Sequence, residues 1–201
     1  MERHSAHIKA AARKATQFEG QIAQVEAELL VWLASQVPAE QVIVEIGSYR
    51  GRSAIALALG SLLGNGVRVY AVDPHLDFTG VKGGEFGPSD MARLYRNLDV
   101  AGVGRIVAVV ALPSVMIGRA WFESDEWNNV GLLWIDGDHR YEAVRDDFET
   151  WAPCVAVGGW LAFHDSLAPG VGRLLAEIDG LAGFEKKGLC RQVTWYQRVG
   201  S

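Results

Sequence analysis

Two short segments of this chain carry carboxylate and imidazole groups close enough in sequence to act together. Asp136, Asp138 and His139 lie within four consecutive positions, and His164 is directly followed by Asp165. An imidazole titrates near neutral pH, so His139 is a candidate general base; alternatively it satisfies the start of the following helix. Asp136, His164 and Asp165 form a candidate cation site, whose carboxylates suit Mg²⁺ and whose imidazole better suits a transition metal. Without a metal, His164 is a second candidate base.

A glycine-containing turn joins an apolar strand to an apolar helix within the stretch Val42–Ala58. The run Val42–Ile46 is typical of a buried parallel strand, and Gly47 permits a sharp exit from it. The turn presents backbone N–H groups at a helix start, where an anion can be held. Ser48 and Tyr49 stand where a dinucleotide fingerprint has its middle glycine. The turn therefore predicts an unphosphorylated nucleoside as ligand rather than a pyrophosphate.

Two further strand ends carry candidate ligand residues. Asp73 follows the strand Val67–Val72, at a point where a carboxylate can accept hydrogen bonds from both hydroxyls of a ribose. A helix cap or a solvated turn carboxylate are the alternatives for this residue. Ala111 and Leu112 follow the strand Ile106–Val110. Their small and apolar character suits the flat face of a purine.

Length and composition restrict the class of protein. The chain has 201 residues, of which 49% are apolar, which is enough for one well-filled domain. Its net charge is −5 without a basic run, which argues against a nucleic-acid partner. It has no apolar run of the roughly 20 residues that span a bilayer and no signal-peptide pattern. Cys154 and Cys190 lack metal or redox spacing, so we expect free thiols and a cytoplasmic protein.

The pattern of elements predicts an α/β fold. Strands alternate with helices, which favours a doubly wound, mostly parallel sheet, and the last two strands predict an antiparallel hairpin. Residues 1–38 are expected to form a helical cap and residues 39–201 the core of the same domain. The glycine-rich segment His75–Ser89 is expected to be a functional or mobile loop, and Trp121–Asn129 a surface connection. The remaining predicted elements are Val130–Ile135, Tyr141–Trp151, Trp160–Phe163, Val171–Ile178, Phe184–Cys190 and Gln192–Arg198.

Three motifs resemble the class I S-adenosylmethionine-dependent methyltransferases from about Val42 to Arg198, which implies a Rossmann-like methyltransferase fold. The segment Glu45–Ser53, EIGSYRGRS, is similar to the first motif of catechol-type O-methyltransferases. The D-G-D-H-x-Y motif at Asp136 and the G-G-x(4)-H-D motif at Gly158 resemble small methyltransferases that tailor antibiotics and sugars. This combination is specific for the family and says little about the substrate.

The resemblance implies roles for individual residues. Glu45 and the turn after it would hold the methionine part of S-adenosylmethionine, Asp73 its ribose, and Ala111 with Leu112 its adenine. In metal-dependent relatives the positions of Asp136, His164 and Asp165 are acidic or amide ligands, from which His164 departs. The implied cofactor-binding residues are Glu45, Gly47, Ser48, Tyr49, Gly51, Ser53, Asp73, Ala111, Leu112 and Asp136.

Methyl transfer from a sulfonium to an alcohol requires alignment and loss of the alcohol proton. His139 could remove that proton as a base, in a position where catechol-type enzymes carry a basic residue, or a divalent cation could lower the pKa of the hydroxyl. We therefore predict O-methylation of a small hydroxylated molecule, either a sugar or a natural product. A non-catalytic nucleoside-binding domain and a nicotinamide-dependent reductase are the alternatives. A homodimer is the default expectation, because symmetric pairs are the commonest soluble assembly.

Overall fold

The structure is a computed structural model that describes residues 2–81, 83–124 and 128–200. Within these residues, strands and helices alternate along most of the chain. The strands are β1 (Val42–Ile46), β2 (Val69–Val72), β3 (Phe78–Thr79), β4 (Glu85–Phe86), β5 (Val107–Val110), β6 (Val130–Ile135), β7 (Val155–Phe163), β8 (Phe184–Cys190) and β9 (Val193–Arg198). The helices are α1 (Glu2–Ala15), α2 (Gln24–Ser35), α3 (Arg52–Leu63), α4 (Pro88–Ala101), α5 (Ser114–Phe122), α6 (Tyr141–Trp151) and α7 (Pro169–Ile178).

The described residues form a seven-stranded sheet with the order β5-β2-β1-β6-β7-β9-β8. Its first five strands are parallel, and β9 pairs antiparallel with both β7 and β8. The order reverses beside β1, because the chain moves outward through β2 and β5 and then returns to β6. Ligands of doubly wound sheets bind where the order reverses, at the carboxyl ends of the strands. The predicted α/β fold with its C-terminal hairpin is confirmed.

Side chains of alternating strand positions build two apolar layers, one on each face of the sheet. Ile43 and Leu132 belong to the layer that contains side chains of α1, α2, α3 and α4. Val44 and Leu133 point the opposite way, into the layer with side chains of α6 and α7. Successive side chains of a strand face opposite sides, so a parallel strand covered on both faces is apolar throughout. This is why the uninterrupted apolar runs identified the strands.

Two predicted boundaries differ from the structure for identifiable reasons. The glycine pair predicted to precede the strand at Trp160 lies inside β7, where Gly158 has φ +85° and the pairing with β6 shifts register. A helix, α5, occupies residues 114–120, for which no element was predicted, and the start of the predicted surface connection. Residues 125–127 of that connection lie outside the described residues. Gly118 lowers the helix propensity of α5. The helix is fixed by packing, because a Cβ at Gly118 would lie 2.5 Å from the Thr150 side chain of α6.

The glycine-rich segment after β2 contains structure of its own. Phe78 pairs with Phe86 in a two-stranded antiparallel hairpin, β3 and β4, which is separate from the main sheet. Cys154 is buried and Cys190 half-buried, and both are free thiols. Among the described residues, no helix combines the length and the apolar character needed to cross a membrane.

Candidate active site

A cavity of about 600 Å³ opens at the carboxyl ends of β1, β2, β6 and β7. Three segments enclose it: the connection between α1 and α2, the β3–β4 hairpin, and the loops that follow β6 and β7. Its lining includes eight aspartates but only two arginines, Arg52 and Arg140. The aspartates are Asp73, Asp77, Asp90, Asp136, Asp138, Asp146, Asp147 and Asp165.

The floor of the cavity is the junction between the ends of β1 and β6. Gly47 leaves β1 with φ +83°, and a Cβ there would lie 2.3 Å from the carbonyl oxygen of Asp136. No side chain fits in that space, so a glycine is required for the two strand ends to meet. Gly51 caps α3 with φ +92°, and Tyr49 adopts φ +45° between the two glycines. The turn is therefore a tight loop that brings the end of β6 and the start of α3 together at the floor of the cavity.

Asp73 binds the turn after β1 with its carboxylate. Its Oδ2 atom accepts hydrogen bonds from the backbone N–H groups of Ser48 and Tyr49, both at 3.0 Å. Its Oδ1 atom accepts one from the N–H of His75 at 2.9 Å. The anion predicted at this turn is thus the chain's own carboxylate. A carboxylate has about four lone-pair positions, of which these three N–H groups use about three, so about one remains for a ribose hydroxyl.

This arrangement is unfavourable for a pyrophosphate. The N–H groups of Ser48 and Tyr49 that would bind phosphate oxygens already donate to Asp73. A phosphate would also lie next to a carboxylate of the same charge, which costs free energy. The occupied N–H groups and the charge of Asp73 are thus two structural arguments against the nicotinamide-dependent reductase, in addition to the replacement of the middle glycine noted in the sequence.

An acid–imidazole cluster lies at the ends of β6 and β7, next to the turn after β1. His139 has its Nε2 atom 3.3 Å from Asp136 Oδ1 and its Nδ1 atom 3.4 Å from Asp165 Oδ2. His164 has its Nδ1 atom 3.0 Å from the same Asp136 oxygen, and its Nε2 atom 3.6 Å from Oε2 of Glu26 in α2. The residues predicted from two distant motifs are thus brought together, along with a glutamate that no motif indicated.

The charges of this cluster fix the proton on His164. Burial acts to lower the pKa of His164, but the carboxylates of Asp136, Glu26 and Asp165 raise it to about 10. Burial acts to raise the pKa of Asp136, yet His164 and His139 lower it overall. At neutral pH His164 is consequently an imidazolium between carboxylates. Both of its ring nitrogens face carboxylates and it does not line the cavity, which disfavours the prediction of His164 as a second base.

The predicted cation site is not formed by the side chains as they stand. Asp136 and His164 hydrogen-bond to one another, and an imidazolium is not a metal ligand. Within residues 2–81, 83–124 and 128–200, no group of three or more histidine, cysteine, aspartate or glutamate side chains could hold a metal ion. The proximity of Asp136, His164 and Asp165 is explained by the ion pairs among them.

Most of the predicted cofactor-binding residues line the cavity, and four do not. Gly47, Ser48, Tyr49, Ser53, Asp73 and Asp136 are in its lining, as are His139 and Asp165. Ala111 and the exposed Leu112 lie beside it, and the first turn of α5, Pro113–Val115, forms the wall there. Gly51 and Glu45 lie beneath the residues that line the cavity and do not line it themselves.

Glu45 is a fully buried carboxylate within the sheet. Burial raises its pKa to about 8, with smaller contributions from Asp136 and Asp73 and against the opposing influence of the Ser53 hydroxyl. Neither of its oxygens accepts a hydrogen bond of normal geometry from the described residues. Glu45, which was predicted to hold the methionine part of the cofactor, therefore lies beneath the turn and does not line the cavity. Its raised pKa favours the protonated carboxyl group at neutral pH.

Sequence reasoning missed a polar pair on the wall of the cavity that α5 and α6 form. The Ser114 hydroxyl donates a hydrogen bond to Asp147 Oδ1. Burial raises the pKa of Asp147 to about 6, although the bond from Ser114 acts to lower it. One signal was available, because Asp147 shares the buried face of α6 with Val144, Phe148 and Trp151. A charged residue on an apolar helix face indicates a specific partner.

The N-terminal connection and the hairpin were also missed as parts of the wall. Arg52 donates hydrogen bonds to the carbonyl oxygens of Phe18 and Ile22, both at 2.8 Å, and so holds the α1–α2 connection over the turn. In the hairpin, Phe86 packs against Tyr49 with ring centroids 5.1 Å apart and against Phe78 at 5.8 Å. These contacts join residues that are distant in sequence, and no local pattern indicates them.

Comparisons with known proteins agree with this geometry. A family model described as a methyltransferase domain matches residues 44–166. An uncharacterised protein of Acanthamoeba polyphaga mimivirus is 34% identical over 59 residues, which cover 25% of this chain and 27% of the viral protein. The matched segment thus spans about a quarter of that relative's length.

Solved structures share the fold at low sequence identity. A protein from Corynebacterium glutamicum has a TM-score of 0.72 at 13% identity, covering 98% of this chain and 91% of its own. An O-methyltransferase from Bacillus cereus, solved with S-adenosylhomocysteine, has a TM-score of 0.65 at 15% identity, with coverages of 98% and 91%. A TDP-rhamnose 3′-O-methyltransferase of calicheamicin biosynthesis has a TM-score of 0.61 at 19% identity, with coverages of 86% and 77%. The chain belongs to the methyltransferase-domain family and has the fold of the class I S-adenosylmethionine-dependent methyltransferases.

Proposed function

We propose that this protein transfers the methyl group of S-adenosylmethionine to a hydroxyl group of a small molecule. The observation that carries the proposal is that one cavity contains both the Asp73-bound turn and His139 between two carboxylates. The first feature favours a nucleoside without phosphates, and the second provides a group that can accept a proton. Family membership and the O-methyltransferases of the same fold support this combination.

The residues present fit the cofactor in charge and in hydrogen-bonding capacity. A sulfonium and an ammonium group are both positive, and the aspartate-rich lining favours them electrostatically. The Ser48 hydroxyl is buried at the turn without a partner among the described residues, and a buried polar group of this kind favours a bound polar ligand. Gly47–Ser53 would hold the methionine part, Asp73 one ribose hydroxyl, and Ser114 with Asp147 would border the adenine. S-adenosylmethionine would supply an electrophilic methyl group there.

His139 acts as the general base in this proposal. Nε2 lies 3.3 Å from Asp136 Oδ1, and the tautomer in which Nε2–H donates to Asp136 leaves the lone pair on Nδ1. Nδ1 would take the proton of the acceptor hydroxyl; the sulfonium would supply the methyl group, with its S–CH₃ bond broken and S-adenosylhomocysteine as the leaving group. The imidazolium that forms is stabilised by Asp165, whose Oδ2 atom lies 3.4 Å from Nδ1. Asp165 is buried and Asp136 is half-buried, and both carboxylates lie beside the ring that would receive the proton.

The acceptor would enter between the hairpin and the loop after β6. Phe78 and Phe86 give this side of the cavity an apolar surface, and Arg140 stands 5.4 Å from the Phe78 ring. Asp138 forms an ion pair with Arg140 at the rim. A small molecule with one apolar face and several hydroxyl groups, such as a sugar or a natural product, matches this lining.

The test measures cofactor binding first and turnover second. Isothermal titration calorimetry determines the Kd of S-adenosylhomocysteine, and formation of S-adenosylhomocysteine is then followed with a panel of phenols, catechols, glycosides and nucleotide sugars. Once an acceptor is identified, we expect His139→Asn to lower kcat at least about 100-fold, which is the usual contribution of a general base. The Kd of S-adenosylhomocysteine should stay within threefold of the wild-type value. The matched control is His7→Asn, an exposed histidine of α1, with unchanged kcat.

Three results would contradict the proposal. The wild-type protein could bind no S-adenosylhomocysteine, it could methylate only nitrogen, sulfur or carbon acceptors, or His139→Asn could retain full turnover. Binding without turnover on any acceptor would instead support the non-catalytic nucleoside-binding domain. Turnover is also measured with EDTA and with Mg²⁺, and we expect it to survive EDTA because Asp136 and His164 bond to one another.

A further inference from the structure

We propose that Glu26, which lies in α2 outside the matched methyltransferase segment, is a positioning residue that fixes Asp136 and His139 through His164. The inference rests on the proposed function, because His139 is the group whose position matters. A residue of the N-terminal helices would thus help to position the catalytic histidine.

Glu26 is held in place from two parts of the chain. Its Oε2 atom accepts a hydrogen bond of 2.6 Å from the N–H of Ala23 at the start of α2. Its Oε1 atom accepts one of 3.2 Å from the N–H of Gln192, in the turn between β8 and β9. Capping of a helix requires only one of these bonds, and a capping glutamate is ordinarily at the surface. Glu26 is fully buried, which is costly for a carboxylate unless a cation accompanies it.

The accompanying cation is His164, whose ring is held on three sides. Nε2 lies 3.6 Å from Glu26 Oε2, and Nδ1 lies 3.0 Å from Asp136 Oδ1. The Trp134 ring packs against the imidazole with centroids 5.7 Å apart and an interplanar angle of 51°. Because the two nitrogens contact carboxylates on opposite sides, the ring cannot rotate without losing one of them. Glu26 therefore determines the direction in which His164 presents Nδ1.

That direction determines where Asp136 holds His139. The Oδ1 atom of Asp136 is shared between His164 Nδ1 and His139 Nε2, at 3.0 and 3.3 Å. If the His164 ring tilts, this oxygen follows it, and the His139 bond lengthens or changes direction. A displacement of about 1 Å at a catalytic group can cost 100-fold in rate. Glu26 is not one of the residues that line the cavity, so cofactor binding should not change.

The experiment compares Glu26→Gln with Glu28→Gln. Glutamine retains the size of the side chain and an acceptor for Ala23 but loses the charge that faces His164. Glu28, two positions further along α2, bonds to the Gln24 side chain and serves as the matched control. The readouts are the imidazole resonances of ¹⁵N-histidine-labelled full-length protein, the Kd of S-adenosylhomocysteine, and kcat and KM with an acceptor methylated by the wild type. Resonances are assigned with His139→Asn and His164→Asn.

We expect Glu26→Gln to shift the resonances of both His164 and His139, and to lower kcat at least tenfold. The Kd of S-adenosylhomocysteine and the KM for S-adenosylmethionine should stay within threefold, and Glu28→Gln should match the wild type throughout. A role in helix capping alone would lower the Tm and leave the His139 resonances in place. Unchanged His139 resonances in folded Glu26→Gln would therefore overturn the inference, as would an unchanged kcat.

A second variant covers the case in which Glu26→Gln does not fold. Glu26→Asp retains the charge but withdraws the carboxylate from His164 by about one carbon–carbon bond, roughly 1.5 Å. It should shift the His139 resonances in the same sense and lower kcat less than glutamine does. Wild-type resonances in Glu26→Asp would overturn the inference. Should the wild type bind no cofactor, the proposed function fails, while the resonances still decide whether Glu26 positions His139.

Discussion

At the scale of single residues, Asp73 joins the turn after β1 to the end of β2, and His164 joins Glu26 of α2 to Asp136. Asp73, Asp136 and Asp165 were located correctly at strand ends, because a parallel sheet collects its carboxyl ends on one edge. The role of Asp73 in binding the turn depends on the pairing of β1 with β2, which the sequence does not specify. Glu26 was not found at all, since its partner His164 is 138 positions further along the chain.

The first prediction concerns the bond between Asp73 and the turn. Asp73→Asn removes the charge and replaces one carboxylate oxygen with an amide N–H₂ group. The N–H groups of Ser48, Tyr49 and His75 therefore all lose a charged acceptor, and at least one loses its acceptor altogether. Each such hydrogen bond contributes about 1.5–3 kcal/mol. We expect the Kd of S-adenosylhomocysteine to rise at least tenfold by calorimetry. Asp99→Asn, an exposed residue of α4, is the control, and an equal Kd for both variants would contradict this account.

The second prediction follows from the raised pKa of Glu45. Folding raises this pKa from 4.5 to about 8, so the folded protein binds one proton more than the unfolded chain between these values. The free energy of unfolding should therefore fall as the pH rises through this window, by at most about 5 kcal/mol. Glu45→Gln removes the titrating group, and the effect is measured by urea unfolding from pH 5 to pH 8.

His164 contributes a decline of the same sign at higher pH, because its pKa is raised from 6.5 to about 10. The contribution of Glu45 is therefore read from the difference between wild type and Glu45→Gln below pH 6.5. The free energy of unfolding of Glu45→Gln relative to that of the wild type should increase steadily as the pH rises. A difference that does not depend on pH would show that the Glu45 carboxyl group titrates normally in the folded protein.

At the scale of elements, sequence patterns found what is determined locally. The strands β1 and β6 and the helix α6 have the predicted bounds, because apolar runs and helical spacing are intrinsic to those segments. The helix α5 and the hairpin of β3 and β4 were missed. Both depend on contacts with distant residues, namely Thr150 and Trp151 for α5 and Tyr49 for Phe86 of the hairpin.

The third prediction tests the junction of β1 with β6. Gly47→Ala would add about 1–2 kcal/mol of backbone strain at φ +83° and a Cβ 2.3 Å from the Asp136 carbonyl oxygen. Gly66→Ala is a matched control, because Gly66 has φ +68° and nothing within 4 Å of its Cβ. We expect thermal and urea unfolding to show the larger loss for Gly47→Ala, together with loss of S-adenosylhomocysteine binding. Equal destabilisation of the two variants would mean that the strand ends can separate at little cost.

At the scale of the whole molecule, the sheet order brings three remote parts of the chain to one cavity. The predicted core and its order of elements were sufficient to place the strand ends. They were not sufficient to show that the α1–α2 connection closes the cavity, because the contacts of Arg52 with Phe18 and Ile22 are made by backbone carbonyl groups. Every residue has a backbone carbonyl group, so a contact made by this group cannot be recognised from the residue type. The same is true of the N–H groups that Asp73 occupies.

Two calorimetric titrations of the folded wild-type protein, one with S-adenosylhomocysteine and one with NAD, test whether the cavity binds S-adenosylmethionine and not a dinucleotide. The account predicts saturable heat with S-adenosylhomocysteine and none with NAD, because Asp73 occupies the N–H groups that a pyrophosphate needs. Saturable binding of NAD together with no heat from S-adenosylhomocysteine would contradict it.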